Sequence, residues 1–251
     1  LLLLAVFLSF WIRIQSYSPI YSELDPYFYV YGSGQLIRLG TNPVGEDTAW
    51  WPEVRTGDHR NFPSLKMYIE AQGYSLYTKE GEYSNYLMFV TSAWMPPISA
   101  ALLAAGAYFL FATMYGKRYG ILAAFLAAFL PVTIFKMSAG VNEAAPFGMA
   151  SIFLVLGIYA LALKRKDNHI GILSGLAFFA AVTATSYGAV IAIPVAGFVF
   201  LQAVEHFTRG NKDDSFLRIS TWLVVGLVAG SLLAGIYAAG ASGISRLMTS
   251  E

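Results

Sequence analysis

Tyr86 to Tyr115 reads YLMFVTSAWMPPISAALLAAGAYFLFATMY, thirty residues without a charge. About 20 apolar residues suffice for a helix to cross the roughly 30 Å hydrocarbon core of a bilayer. Two further uncharged runs follow, Ala144 to Leu163 and Ile170 to Val204. As one helix the last would be roughly 52 Å long, too long for one crossing. A split near Thr185-Ser186-Tyr187-Gly188 resolves it into two. The whole chain is 57% hydrophobic and 12% charged, against about 25% charged in an ordinary soluble domain. The expected class is an all-α, polytopic integral membrane protein.

Seven segments are expected: Leu1 to about Ile12, then about 86–113, 119–135, 145–163, 170–185, 189–204 and 219–239. Proline within spans, as at Pro96, Pro97, Pro131 and Pro194, suits membrane helices better than soluble ones. Lys and Arg in short loops set orientation. Lys117 and Arg118, then Lys164, Arg165 and Lys166, then Arg209, Lys212 and Arg218 occupy alternate loops. Those loops are assigned to the cytoplasmic side, and the opposite face is then non-cytoplasmic. The first connection, about residues 13–85, is a long loop on that outer side. It carries nine of the fifteen acids together with Trp50 and Trp51. A connection of this length is functional or disordered, and its aromatic content argues for folding. Pro26 to Leu39 suits a short helix capped by Asp25.

A net charge of +1 offers nothing to nucleic acid. The absence of cysteine removes thiol chemistry and Cys-based metal sites. His59, His169 and His206 lack the spacing of zinc ligands. Leu1 opens inside an apolar run without a basic leader, and Glu251 follows the last segment directly. Residues 1–251 are therefore expected to be a fragment of a longer chain, with the first helix truncated.

Acids beside apolar spans are costly and count as functional candidates. Asp25 lies in Glu23-Leu24-Asp25-Pro26-Tyr27-Phe28-Tyr29, just beyond the first segment. A capping role uses one of its oxygens and leaves the other for a metal or a polar substrate. Glu143 closes Lys136-Met137-Ser138-Ala139-Gly140-Val141-Asn142-Glu143, at the outer start of the fourth segment. Its ordinary role is an acid at the positive end of a helix. The topology puts both acids at one face, where hard oxygen ligands suit magnesium or manganese. Lys136 can snorkel to headgroups or neutralise a phosphate. Tyr187 is an interfacial aromatic at the break between the fifth and sixth segments. Trp50-Trp51 suits a sugar or peptide platform, or loop packing.

The order and spacing of these motifs resemble the catalytic subunit of oligosaccharyltransferase, and most of all its archaeal single-subunit branch. Leu24-Asp25-Pro26-Tyr27-Phe28-Tyr29 is similar to the acidic Asp-Pro-aromatic motif that opens the family's first outer loop. Lys136 to Glu143 is similar to its basic-x-x-Ser/Ala-Gly-x-x-Asp motif, with Lys for the usual Arg and Glu for the usual Asp. Ser186-Tyr187-Gly188-Ala189 echoes a Ser-Trp-Gly-Gly-Tyr element. Ala145 stands where many members carry a further acid. A later metal-binding Glu and the Trp-Trp-Asp acceptor motif have no match in the chain.

The resemblance implies a helical bundle of the type C glycosyltransferase fold, with residues 1–251 the N-terminal part of a transmembrane catalytic domain whose C-terminal half and globular domain lie in further sequence. It also implies transfer of a glycan from a lipid-phosphate or lipid-pyrophosphate donor to asparagine in Asn-x-Ser/Thr, with inversion. Asp25 and Glu143 would be the catalytic and metal-binding acids, holding Mn2+ or Mg2+, and Lys136 and Tyr187 would contact the donor. The implied partners are the lipid-linked oligosaccharide, the acceptor polypeptide and membrane lipid, and the implied location is a cell membrane. The other readings are a different membrane glycosyltransferase, such as a protein mannosyltransferase, and a transporter or scaffold. A transporter should carry ionisable groups near mid-membrane, where these spans have almost none.

Overall fold

In a computed structural model the chain is a helical bundle, described over residues 1–15, 24–39, 65–78, 83–209 and 214–248. The side chains at 24, 25, 28, 39, 77, 186, 209 and 234–248 lie outside this description, as do Glu23, Trp50 and Trp51. Every regular element among the described residues is helical: α1 (Leu2–Ile14), α2 (Leu24–Leu39), α3 (Leu65–Tyr77), α4 (Asn85–Tyr115), α5 (Lys117–Phe129), α6 (Pro131–Lys136), α7 (Ala144–Arg165), α8 (Asn168–Ala184), α9 (Ala192–Arg209) and α10 (Ser215–Met248). A 3-10 turn, Ser186–Ile191, joins α8 to α9.

Among the described residues four stretches are long and apolar enough to cross a bilayer: Asn85–Tyr115, Ala144–Arg165, Tyr187–Thr208 and Ser215–Leu233. Helices α1 and α8 are apolar but shorter. The third expected segment, 119–135, is not one helix. It breaks at Leu130, whose ψ of 124° ends α5 before Pro131 opens α6. A residue before proline is pushed out of the helical region by the ring, so the break is local in origin. The long run after His169 divides where Thr185 turns extended, as expected. Among the described residues the outer loop holds a second helix, α3, beyond the expected α2. Helix α2 starts at Leu24, so Asp25 sits in its first turn and not ahead of it.

Small residues fill the helix contacts: Ala5, Ala100, Ala104, Ala107, Ala124 and Ala128 are all buried. Large apolar residues such as Leu3, Leu122, Ile193 and Phe200 point outward. That inversion of soluble packing is expected where lipid is the solvent and helices associate through close backbone approach. Helix α4 packs on α1, α5 and α7, and α8 on α7 and α10. Helices α2 and α3 pack on each other and on α4, so they cap one end of the bundle.

Candidate functional site

The turn between α6 and α7 is built by its own residues. Gly140 takes a φ of 94°, a left-handed conformation that costs glycine little. Val141 donates its N–H to the Ser138 carbonyl at 3.0 Å, and Glu143 to that of Val141 at 3.0 Å. Glu143 precedes the first residue of α7 with extended backbone, yet its carboxylate does not cap the helix. It turns back to Lys136, whose Nζ lies 3.1 Å from Oε1 and 3.4 Å from Oε2. The acid at the helix start is thus an ion-pair partner, and the pair joins two of the residues singled out by sequence.

Tyr187 reaches the same end of the bundle by another route. A Cβ added at Gly148 would lie 2.6 Å from the Tyr187 Cβ, so the 3-10 turn rests directly on α7. Gly148 is five residues beyond Glu143, roughly 7.5 Å along the helix. The Tyr187 side chain remains exposed. Asp25 occupies the first turn of α2, and its carboxylate is outside the described residues.

A polar cluster that the sequence reading did not assign lies beneath this turn. Glu70 of α3 has no solvent exposure. Its Oε1 accepts from Lys66 Nζ at 2.6 Å and from Asn142 Nδ2 at 3.0 Å. Its Oε2 accepts from Ser33 Oγ at 3.0 Å and Ser92 Oγ at 2.9 Å. Asn142 Nδ2 also donates to Ser92 Oγ at 2.9 Å. The Lys66 ammonium lies 3.7 Å from the centre of the Tyr29 ring. Burial pushes it below the usual lysine range, and the neighbouring Glu70 carboxylate pulls it back.

One carboxylate therefore ties α2, α3, α4 and the residue beside Glu143 together. Residues 141 and 142 carry no regular helix, and the bond from the Glu143 N–H to the Val141 carbonyl closes a three-residue turn centred on Asn142. On that turn Asn142 reaches the cluster and Glu143 reaches Lys136. The only local signal for this cluster was the i,i+4 spacing of Lys66 and Glu70, which ordinarily marks an exposed pair.

A second anchor lies on α1. The buried Arg13 guanidinium donates to the Ser9 carbonyl at 2.7 Å, the Thr133 carbonyl at 3.3 Å and Thr133 Oγ1 at 3.0 Å. The Arg13 carbonyl accepts the Ala139 N–H at 3.0 Å. The turn that carries Lys136 and Glu143 is thus held from both flanks.

Among the described residues no three His, Cys, Asp or Glu side chains gather as a metal site. Carboxylate and amide oxygens are hard donors. The Glu143 carboxylate lies against Lys136, and the neighbouring Asn142 Oδ1 is buried with no hydrogen-bond partner.

A family model described as oligosaccharyl transferase STT3, N-terminal, matches residues 1–244. No curated protein matches the sequence. Among solved structures, the chain is similar to the archaeal oligosaccharyltransferase AglB from Archaeoglobus fulgidus in complex with an inhibitory peptide and a dolichol-phosphate. There the TM-score is 0.78 at 17% identity, covering 92% of this chain and 28% of that one. It is also similar to the A. fulgidus oligosaccharyltransferase tethered to an acceptor peptide containing the NVT sequon, with TM-score 0.68, 18% identity, and 79% and 25% coverage. A third likeness is to the A. fulgidus enzyme in complex with Zn and sulfate, with TM-score 0.75, 18% identity, and 92% and 30% coverage. These likenesses show a shared membrane fold, and the chain spans about 28% of the length of the first of these proteins.

Proposed function

On the premise that this chain belongs to the oligosaccharyl transferase STT3 family, we propose that it supplies part of the catalytic centre of a membrane glycosyltransferase. That enzyme transfers a glycan from a lipid-phosphate or lipid-pyrophosphate donor to asparagine of Asn-x-Ser/Thr in acceptor polypeptides. The supporting observation is the Lys136–Glu143 pair on a turn braced from two sides. The related A. fulgidus structures with a dolichol-phosphate and with an NVT peptide favour the same donor and acceptor classes here.

An asparagine amide is a poor nucleophile, because its nitrogen lone pair is delocalised into the carbonyl. In the proposed reaction Asp25 holds the amide N–H and takes up its proton as the nitrogen attacks the anomeric carbon. The new C–N bond forms opposite the breaking C–O bond, which inverts the centre. The electron pair leaves with the lipid phosphate. Lys136 and Tyr187 contact that phosphate as its charge grows. Asp25 and Glu143 are the proposed ligands of a divalent cation, Mn2+ or Mg2+, which when bound supplies further charge neutralisation for the leaving group. The Lys136–Glu143 ion pair is then the resting arrangement: substrate draws Lys136 to phosphate and releases the carboxylate. The active face is the non-cytoplasmic end of the bundle.

The test uses the full-length protein in nanodiscs with a lipid-linked oligosaccharide and an Asn-x-Thr peptide. Transfer is measured with Mn2+ and with chelator for wild type, Asp25→Ala and Glu143→Ala. The expected result is metal-dependent glycopeptide from wild type and a loss of at least about a hundredfold in each variant, as for removal of a group that stabilises developing charge. Undiminished transfer by either folded variant removes that residue from the site.

A further inference from the structure

At the end of the bundle opposite Glu143, the C-terminus of α4, the start of α5 and the last turn of α7 enclose a cleft of about 310 Å³. Lys117, Lys164 and Arg165 line its rim, and Tyr108, Ala112 and Leu161 line its wall. We propose that this cleft binds the anionic head group of one membrane phospholipid.

Charge is the first argument. Three cations converge, and no carboxylate among the described residues lines the cleft. Asp167, the nearest acid in sequence, directs Oδ1 to the N–H groups of His169 and Ile170 at the head of α8. Lys164 is already oriented, since its Nζ donates to the Thr113 carbonyl at 2.7 Å and keeps two protons for a further acceptor. Gathering like charges without a counterion raises their energy, and one anion bound among them removes that cost.

Depth is the second argument. Helix α7 runs 22 residues, roughly 33 Å, the thickness of the hydrocarbon core. With Glu143 at one surface, Lys164 and Arg165 stand at head-group level in the other leaflet. Composition is the third. A soluble phosphate needs only the cations, whereas the half-buried Tyr108, Ala112 and Leu161 suit the glycerol and first methylenes of a lipid. Basic clefts between membrane helices take anionic head groups in this way.

The experiment is native mass spectrometry of the full-length protein in detergent, titrated with phosphatidylglycerol or phosphatidylcholine. One phosphatidylglycerol should be retained in preference to phosphatidylcholine. The variant Lys117→Gln/Lys164→Gln/Arg165→Gln should bind it at least about tenfold more weakly. Arg218→Gln, which removes a cation at the same end but outside the cleft, should bind as wild type does. Should the triple variant fail to fold, Lys117→Gln alone should weaken binding about threefold, and raised salt should weaken it in wild type. Equal retention of the two lipids overturns the proposal. So does unchanged binding by the folded variants, or displacement by glycerol 3-phosphate at matched concentration, which would mark a soluble anion as the ligand. None of these readouts depends on transferase activity.

Discussion

A carboxylate with no exposure persists only if its charge is matched and its lone pairs are filled, and both conditions hold at Glu70. Lys66 supplies the charge, while Ser33, Ser92 and Asn142 complete the acceptor sites. Removing one partner of a buried pair strands the other, at a typical cost of about 3–5 kcal/mol. Lys66→Met should therefore lower the thermal midpoint of the full-length protein sharply, whereas Lys66→Met/Glu70→Gln should recover part of the loss. Differential scanning fluorimetry in detergent would check both. The Glu70–Asn142 bond carries a second consequence, because it anchors the residue next to Glu143. Glu70→Gln and Asn142→Asp should each reduce transfer, and the exchanged pair Glu70→Gln/Asn142→Asp should regain activity by restoring an amide–carboxylate bond. An exchanged pair no better than the worse single variant would mean that the bond does not position the site. In sequence Glu70 was one acid of nine in the outer loop, and its i,i+4 spacing from Lys66 ordinarily marks an exposed pair.

At the scale of elements, α8 and α10 approach closely. A Cβ at Gly175 would run into the Leu223 carbonyl and lie 2.8 Å from the Leu227 nitrogen. A Cβ at Gly226 would collide with the Ile172 carbonyl. Backbone cannot yield as a flexible side chain can, so Gly175→Val should destabilise by at least the ~1–3 kcal/mol of ordinary overpacking. Gly197 of α9 is the contrast, because its added Cβ meets nothing within 4 Å. Gly197→Ala should be neutral or gain about 0.5–1 kcal/mol from helix propensity. Thermal unfolding of the two variants side by side tests whether close contact or glycine content matters. The division at Thr185 was readable from the length of the run, whereas the halt at Leu130 fell inside a segment expected to be continuous over 119–135. The start of α2 and the existence of α3 were also less readable. An aromatic, mixed-polarity stretch such as LKMYIEAQGYSLY becomes helical against α2 and α4, and that support is absent from its own sequence.

For the whole molecule, alternation of basic loops makes a prediction about sides. The chain has no cysteine, so single cysteines report cleanly once any elsewhere in the full-length protein are replaced. Lys166→Cys should react with a membrane-impermeant maleimide only from the cytoplasmic side, and Tyr187→Cys only from the opposite side. Labelling of both from one side would overturn the assigned topology. The sequence by itself determined the membrane class, the all-helical architecture and the division of the long run near Thr185. These depend on the length and composition of apolar runs. Only the tertiary structure decided that Glu70 turns inward, that Asn142 meets it from 72 residues away, that Arg13 grips Thr133, and that Tyr187 rests on Gly148. Each of these needs a partner on another helix, and a buried polar group is tolerated only where that partner arrives, a condition that local pattern does not encode.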